Sequence, residues 1–198
     1  VTDLLKKGNN ELSIWLGIGW YHKRAQGVVD GGPYVRAQLE SVKPNGDHNV
    51  ITKSDEKWEA ANSGRYSIGN LWVNGEYIDK SELVTDLSSN AAENLKWQQV
   101  VVGDIPQHKS SQQMCELNTF YQTFKPVAVH KIDDESYVYD MGHAFVGFVE
   151  IDMPVVEKGK AVKLYYEDFY LNNPGDFREI NTYTDVYVGD GESKGVFS

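Results

Sequence analysis

Apolar and polar positions alternate in short runs along this chain, the two-residue period of pleated strands with one buried face. In Glu11–Leu16, the side chains of Leu12, Ile14 and Leu16 fall on one face, and those of Ser13 and Trp15 on the other. Tyr34–Leu39 sets Tyr34, Arg36 and Gln38 against Val35, Ala37 and Leu39. Tyr137–Asp140, Phe145–Met153, Val162–Tyr166 and Tyr183–Val188 are further runs rich in Val, Tyr, Phe and Thr. Between the runs stand turn formers: Lys7-Gly8-Asn9-Asn10, Asp30-Gly31-Gly32-Pro33, Pro44-Asn45-Gly46-Asp47, Asn74-Gly75, Asn172-Asn173-Pro174-Gly175 and Gly189-Asp190-Gly191. Short strands with this punctuation predict an all-β fold built of antiparallel β-sandwich or jelly-roll modules.

Helix signals are few. Val1–Lys6 reads as a helical turn leading into the first strand. Asp79–Asn94 reads as a long connection with at most one turn of helix. There Ser81 offers a cap for a turn through Leu83, and Ser88-Ser89-Asn90 interrupts anything longer. Composition shifts over Val102–Asn118, where Gly103, Asp104, Pro106, Ser110, Ser111, Gln112 and Gln113 make a polar stretch. The expected organisation is a β-sandwich domain over 1–104, a linker over 105–118 and a second β-sandwich domain over 119–198.

Charge and composition narrow the function classes. Nineteen Lys and Arg stand against 29 Asp and Glu, a formal net charge of −10, with no basic run. Such a chain repels polyanions, which argues against a nucleic-acid partner. No apolar stretch approaches the roughly 20 residues of a membrane helix, so no membrane insertion by a helix is expected. Cys115 is the single cysteine, which excludes an internal disulfide or a thiolate metal cluster. The histidines, His22, His48, His108, His130 and His143, lack metal-ligand spacing, and no metal or other cofactor is expected. There is no G-x-S-x-G, no phosphate-binding Gly loop and no dinucleotide fingerprint. A glycosidase needs paired carboxyl groups, and Asp133-Asp134-Glu135 and Glu167-Asp168 are the local pairs on offer. Acidic pairs in turns are ordinarily solvated surface. The Asp133–Glu135 cluster likewise reads as a charged hairpin turn ahead of a calcium site.

Aromatic residues are the more informative signal. Trp15, Trp20, Tyr21, Trp58, Trp72 and Tyr77 all lie in the first half, close to polar turns. Sugar rings carry an apolar C–H face that stacks on such platforms, with polar side chains binding the hydroxyls. On that basis Trp20, Tyr21, Arg24 and Trp72 are the candidate carbohydrate-binding residues, while packing in the sandwich is the commoner role for tryptophan.

Several segments, taken in order, resemble one family. Val1-Thr2-Asp3-Leu4-Leu5-Lys6-Lys7-Gly8-Asn9-Asn10-Glu11-Leu12, followed by Leu16-Gly17-Ile18-Gly19-Trp20-Tyr21, is similar to the amino-terminal region of bacterial α-L-rhamnosidases of glycoside hydrolase family 78. Val35-Arg36-Ala37-Gln38-Leu39, Thr52-x-x-Asp55-x-x-Trp58 with Ser63-Gly64, Asn74-Gly75-Glu76-Tyr77-Ile78-Asp79 and Trp97-Gln98-Gln99-Val100 follow in that family's order. So do Lys125-Pro126-Val127, Tyr137–Val149, Leu164-Tyr165-Tyr166-Glu167 and Thr184–Glu192. The chain departs at His143-Ala144, where the family shows Gln-Asn, and at Phe148, where it shows Trp. No ligand or interface role is therefore carried over onto that loop.

The resemblance implies the non-catalytic β-region of an α-L-rhamnosidase. That family hydrolyses terminal α-L-rhamnose with inversion, using acidic residues on an (α/α)₆ barrel that nothing in this chain matches. The expectation is a fragment that lacks the first strands of its first sandwich and is truncated at the end of its second. On its own it is expected to be inactive, so no catalytic residue is named. Its role would be to brace the catalytic domain, its expected partner, and to help bind rhamnose-containing glycans. A free-standing carbohydrate-binding module is the alternative, and an enzyme using Glu167 or Asp185 as acid or base is a third reading. Unpaired strand edges would favour a homodimer. Localisation is left open, with a periplasmic or secreted enzyme favoured over a cytoplasmic one.

Overall fold

Strands form where β-branched and aromatic residues alternate with polar ones, and the small ones between them turn. The computed structural model describes residues 2–17, 33–69, 74–87, 90–104, 111, 113–166 and 183–198. After a 3₁₀ turn at Thr2–Leu4 come β1 (Gln38–Val42), β2 (His48–Lys53), β3 (Glu59–Ala60), β4 (Arg65–Gly69) and β5 (Asn74–Asp79). A single helical turn, α1 (Asn90–Glu93), precedes β6 (Gln98–Gln99), β7 (Ala128–Lys131) and β8 (Tyr137–Asp140). The chain finishes with β9 (Ile151–Met153), β10 (Ala161–Tyr166), β11 (Tyr183–Val188) and β12 (Gly195–Phe197). The protein is all-β.

The central sheet has the order β10-β11-β5-β4. β10–β11 and β4–β5 pair antiparallel, but β11 and β5 run parallel, with Tyr187 opposite Ile78. The other strand pairs are antiparallel, as the sequence predicts. Parallel neighbours need a long crossover, and here it spans the entire stretch from Lys80 to the start of β11. β4 and β5 come from before the 105–118 stretch, and β10 and β11 from after it. The remaining strands form two-stranded pairs, β1-β2, β3-β6, β7-β8 and β12-β9.

The core lies between the central sheet and the β12-β9 pair. Ile78, Tyr187, Met153 and Phe197 are buried there, with Leu83, Val149, Ile151, Val156, Val162 and Leu164 packed around them. Alternation and register place Val162, Leu164, Tyr187 and Ile78 on one face of the central sheet. Tyr187 is 1% exposed, and its hydroxyl is buried with no hydrogen-bond partner among the described residues. Burial, with the Asp190 carboxylate nearby, raises the phenol above its ordinary pKa.

Several sequence expectations meet the structure closely, and others do not. Tyr137–Asp140 and Tyr183–Val188 are strands over their whole predicted length, and β10 adds only Ala161 to its predicted run. Pro44–Asp47 makes the β1–β2 turn, with Gly46 at a φ of +86° that a side chain would resist. Glu11–Leu16, by contrast, forms no strand and lies exposed, because no neighbouring strand pairs with it among the described residues. Of Phe145–Met153 only the last three residues pair, with β12. Asn74-Gly75 is strand and not turn. A Cβ built on Gly75 would overlap the Thr184 carbonyl, so glycine is required by the approach of β11. The Asp79–Leu83 reverse is closed by Asp79, whose Oδ1 accepts from the Ser81 N–H at 2.9 Å and from its hydroxyl at 2.6 Å. The single helical turn lies further on, at α1.

Candidate functional site

Trp20, Tyr21, Arg24 and Trp72 lie outside the described residues, as do Glu167 and Asp168. Of the other aromatic residues in the first half, Tyr77 is half-buried against Tyr66, their ring centroids 6.2 Å apart. Trp58 is also half-buried, just before β3, where its carbonyl accepts from the Val100 N–H at 3.1 Å. Trp15 alone of the three is an exposed platform, at 55% of its surface.

The Asp133-Asp134-Glu135 triplet caps the β7–β8 turn. Asp133 Oδ1 accepts from the Glu135 N–H at 2.8 Å, and that bond, with others from Ser136, holds its carboxyl below the ordinary carboxylate range. Asp134 pairs with Lys131 at 2.8 Å. These carboxylates serve the hairpin. Among the described residues no group of three or more His, Cys, Asp or Glu side chains is placed to hold a metal ion.

A polar cluster continues the inner face of the central sheet beyond the apolar core. Asp185, on β11, accepts from the Glu76 N–H at 2.6 Å through Oδ1 and from the Tyr166 hydroxyl at 2.6 Å through Oδ2. Glu76 pairs with Arg65 at 2.9 Å, and the same Arg65 nitrogen donates to the Ser198 carbonyl at 2.9 Å. The cluster therefore ties β10, β11, β5, β4 and the chain end together. Both oxygens of Asp185 are engaged in holding strands together. Burial raises the Tyr166 phenol far above its ordinary pKa, and the bond to Asp185 adds to the shift.

Tyr166→Phe should accordingly cost about 1–3 kcal/mol, the worth of a hydrogen bond to a charged acceptor. The alkaline limb supplies a second readout. The folded pKa of Tyr166 lies above its unfolded value, so the folded state retains a proton that the unfolded chain loses above pH ~10, and stability falls as pH rises past that point. Urea midpoints from neutral to strongly alkaline pH should show a shallower decline for Tyr166→Phe. Equal slopes would mean that Tyr66 and Tyr187, whose phenols are also raised, carry the effect.

Two surface features remain. The first is an open cleft of about 320 Å³ lined by Glu11, Ser13 and Trp15 on one wall and Thr85, Asp86 and Leu87 on the other. Its second wall comes from the Asp79–Asn94 connection, which offered no sequence signal of a site. The sequence hints were that Trp15 belongs to the aromatic group of the first half and shares the polar side of its run with Ser13. The second feature is an aromatic face made by residues 113–127 and 142–149. Phe120 meets Phe148 edge-on at 5.4 Å, and Phe124 meets His143 at 4.8 Å and Phe145 at 5.3 Å. Met114, Leu117, Phe120, Tyr121, Val146 and Phe148 are each at least 65% exposed. Sequence patterning missed this face because it reads Val146 and Phe148 as part of a strand run over Phe145–Met153, whereas the structure leaves them in irregular chain beside the segment around Phe120, which carries no strand period.

Comparison with known proteins identifies the lineage. Residues 1–121 match the family described as the alpha-L-rhamnosidase N-terminal domain, and residues 130–198 match the bacterial alpha-L-rhamnosidase concanavalin-like domain. No curated protein matches the sequence. The fold is similar to that of an alpha-L-rhamnosidase from Dictyoglumus thermophilum, with a TM-score of 0.59 and 22% identity over 81% of this chain. The chain spans 18% of the length of that enzyme. The first match covers more than half of the chain, which therefore belongs to the alpha-L-rhamnosidase N-terminal domain family.

Proposed function

We propose that this member of the alpha-L-rhamnosidase N-terminal domain family is the accessory β-region of an α-L-rhamnosidase, and that it braces a catalytic domain through its aromatic face. The observation that carries the reading is the exposure of Phe120, Tyr121, Val146 and Phe148 on adjoining segments. Contiguous aromatic surface of this kind is costly in water and marks a contact surface. A domain interface within one enzyme is of the size and character that would cover it. Family membership, and the small share of the solved rhamnosidase that this chain spans, support a catalytic domain as the occupant. Hydrolysis would then belong to the partner domain, and the chain's own carboxylates to turns and strand clasps.

The test joins this chain to the catalytic domain of an α-L-rhamnosidase in one polypeptide. The chain should raise that domain's Tm and its activity on an aryl α-L-rhamnoside. A triple variant, Phe120→Ser, Val146→Asp and Phe148→Ser, should lose both gains while keeping the circular dichroism and unfolding midpoint of the isolated chain. A catalytic domain that performs equally well without the chain, or with the substituted face, would overturn the proposal.

A further inference from the structure

We infer that Asn45-Gly46 is a site of spontaneous covalent modification, at which the β1–β2 turn loses ammonia and becomes an aspartyl or isoaspartyl link. The chain carries two Asn-Gly pairs, Asn45-Gly46 and Asn74-Gly75. In such a pair the glycine nitrogen can attack the asparagine side-chain carbonyl, because glycine has no Cβ to shield that nitrogen and its backbone turns freely. The fold places the two pairs in opposite settings. Residues 41–50 are all exposed. The turn among them is closed by the Gly46 N–H donating to the Lys43 carbonyl and the Lys43 N–H donating to the Asp47 carbonyl, each at 2.9 Å. A side chain built on Gly46 would meet nothing within 4 Å, and no third strand flanks β1 and β2 among the described residues. Breaking one solvated hydrogen bond therefore frees the attacking nitrogen. Gly75, by contrast, pairs with Ile68 on β4 and lies against the Thr184 carbonyl on β11. Turning its nitrogen out of line would part three strands.

The chemistry needs only water. The Gly46 nitrogen gives its proton to solvent base and bonds to Asn45 Cγ. The Cγ–Nδ2 bond breaks, and the amide nitrogen takes up a proton and leaves as ammonia. Water then opens the cyclic imide, and nothing is oxidised or reduced. Attack at Cγ yields aspartate, whereas attack at the backbone carbonyl leaves the chain running through Cγ as isoaspartate. Either product puts a carboxylate where Asn45 Nδ2 now donates to Asp47 Oδ2 at 2.7 Å, so attraction becomes like-charge repulsion. Isoaspartate also adds a carbon to the backbone of the turn, which displaces the bonds at Lys43 and Gly46 and with them the register of Val42 opposite His48. The related Asp190-Gly191 pair is guarded. Hydrogen bonds from Ser193 and Glu192 hold the Asp190 carboxyl down at about 2, and an ionised carboxylate resists attack. The Gly191 N–H is meanwhile committed to the Val156 carbonyl at 3.0 Å.

Incubating the intact chain in warm, mildly alkaline buffer tests this, with peptide mapping and methyl transfer by an isoaspartyl methyltransferase to measure each site. Asn45 should convert at least roughly tenfold faster than Asn74, since an exposed turn opens far more readily than a paired central strand. In urea that unfolds the chain the two sites should convert at similar rates, which assigns the difference to the fold. Aged protein should exchange the amides of β1 and β2 faster than fresh protein, with β5 and β11 unchanged. Asn45→Gln should prevent both the conversion and the faster exchange. Asn45→Asp supplies the carboxylate without the added backbone carbon, and should loosen the hairpin less than isoaspartate does. Asn74 converting as fast as Asn45 in the folded chain, no conversion at Asn45, or unchanged hairpin exchange in aged protein would overturn the inference. The readouts involve neither the aromatic face nor a catalytic domain, so failure here leaves the docking proposal standing, and the converse holds.

Discussion

Gly75→Val should unfold the chain or lower its Tm by about 6–12 °C, the equivalent of about 3 kcal/mol in a domain of this size. Gly75 lies within β5, where a Cβ would overlap the carbonyl oxygen of Thr184 on the parallel neighbour β11. The obstacle is backbone, so no rotamer change relieves it. The two strands must move apart, and the Glu76 N–H bond to Asp185 goes with them. The damage should be local to the seam that joins the two halves of the chain. Hydrogen exchange should therefore speed up at β5 and β11 before it does in the β1–β2 hairpin, which has its own turn and register. Differential scanning calorimetry and exchange together check this. A Gly75→Val variant that melts with the parent would mean that β5 and β11 do not approach as described.

Tyr187 gives the second large effect, and it separates two contributions of one side chain. Tyr187→Ala removes a ring that is 1% exposed and packed with Ile78, Met153 and Phe197. Loss of a buried aromatic ring costs about 3–5 kcal/mol through lost burial and the cavity left behind. Tyr187→Phe keeps the ring and removes only the hydroxyl, which is buried with no partner among the described residues. Leaving a polar atom in that state is unfavourable, so the phenylalanine variant should be as stable as the parent or up to ~1 kcal/mol more stable. Chemical denaturation of both variants reads the difference directly. A Tyr187→Phe variant destabilised as strongly as Tyr187→Ala would mean that the hydroxyl is hydrogen-bonded in solution and that the core is organised around it.

The candidate surfaces differ in how far the sequence reveals them. The residues first selected for carbohydrate binding, Trp20, Tyr21, Arg24 and Trp72, lie outside the described residues and stay as candidates on sequence grounds. The Trp15 cleft needed Thr85, Asp86 and Leu87 brought opposite Glu11 and Ser13, a juxtaposition of segments about 70 residues apart in a chain whose contacts are largely long-range. The aromatic face needed the segment around Phe120 to lie along the loop around Phe148. Neither meeting is encoded in a local period, because both involve irregular chain.

What the sequence by itself determined is local. Alternation of Tyr, Val and Thr placed β8, β10 and β11, and the Asn-Gly at Asn45-Gly46 placed a turn, since a two-residue period and a left-handed glycine are each decided within a few residues. The ordered series of family motifs, from the opening Val1–Leu12 segment to Thr184–Glu192, identified the lineage in the same way. Tertiary structure alone decided which strands became neighbours. It set β5 against β11 in parallel, turned a turn-like Asn-Gly into strand where Thr184 leaves no room for a side chain at Gly75, and left the alternating Glu11–Leu16 run without a strand partner among the described residues. The physical reason is that a strand's own sequence specifies its faces but not the partner for its backbone N–H and C=O groups. That partner is chosen by which long-range pairing buries Ile78, Tyr187, Met153 and Phe197 together.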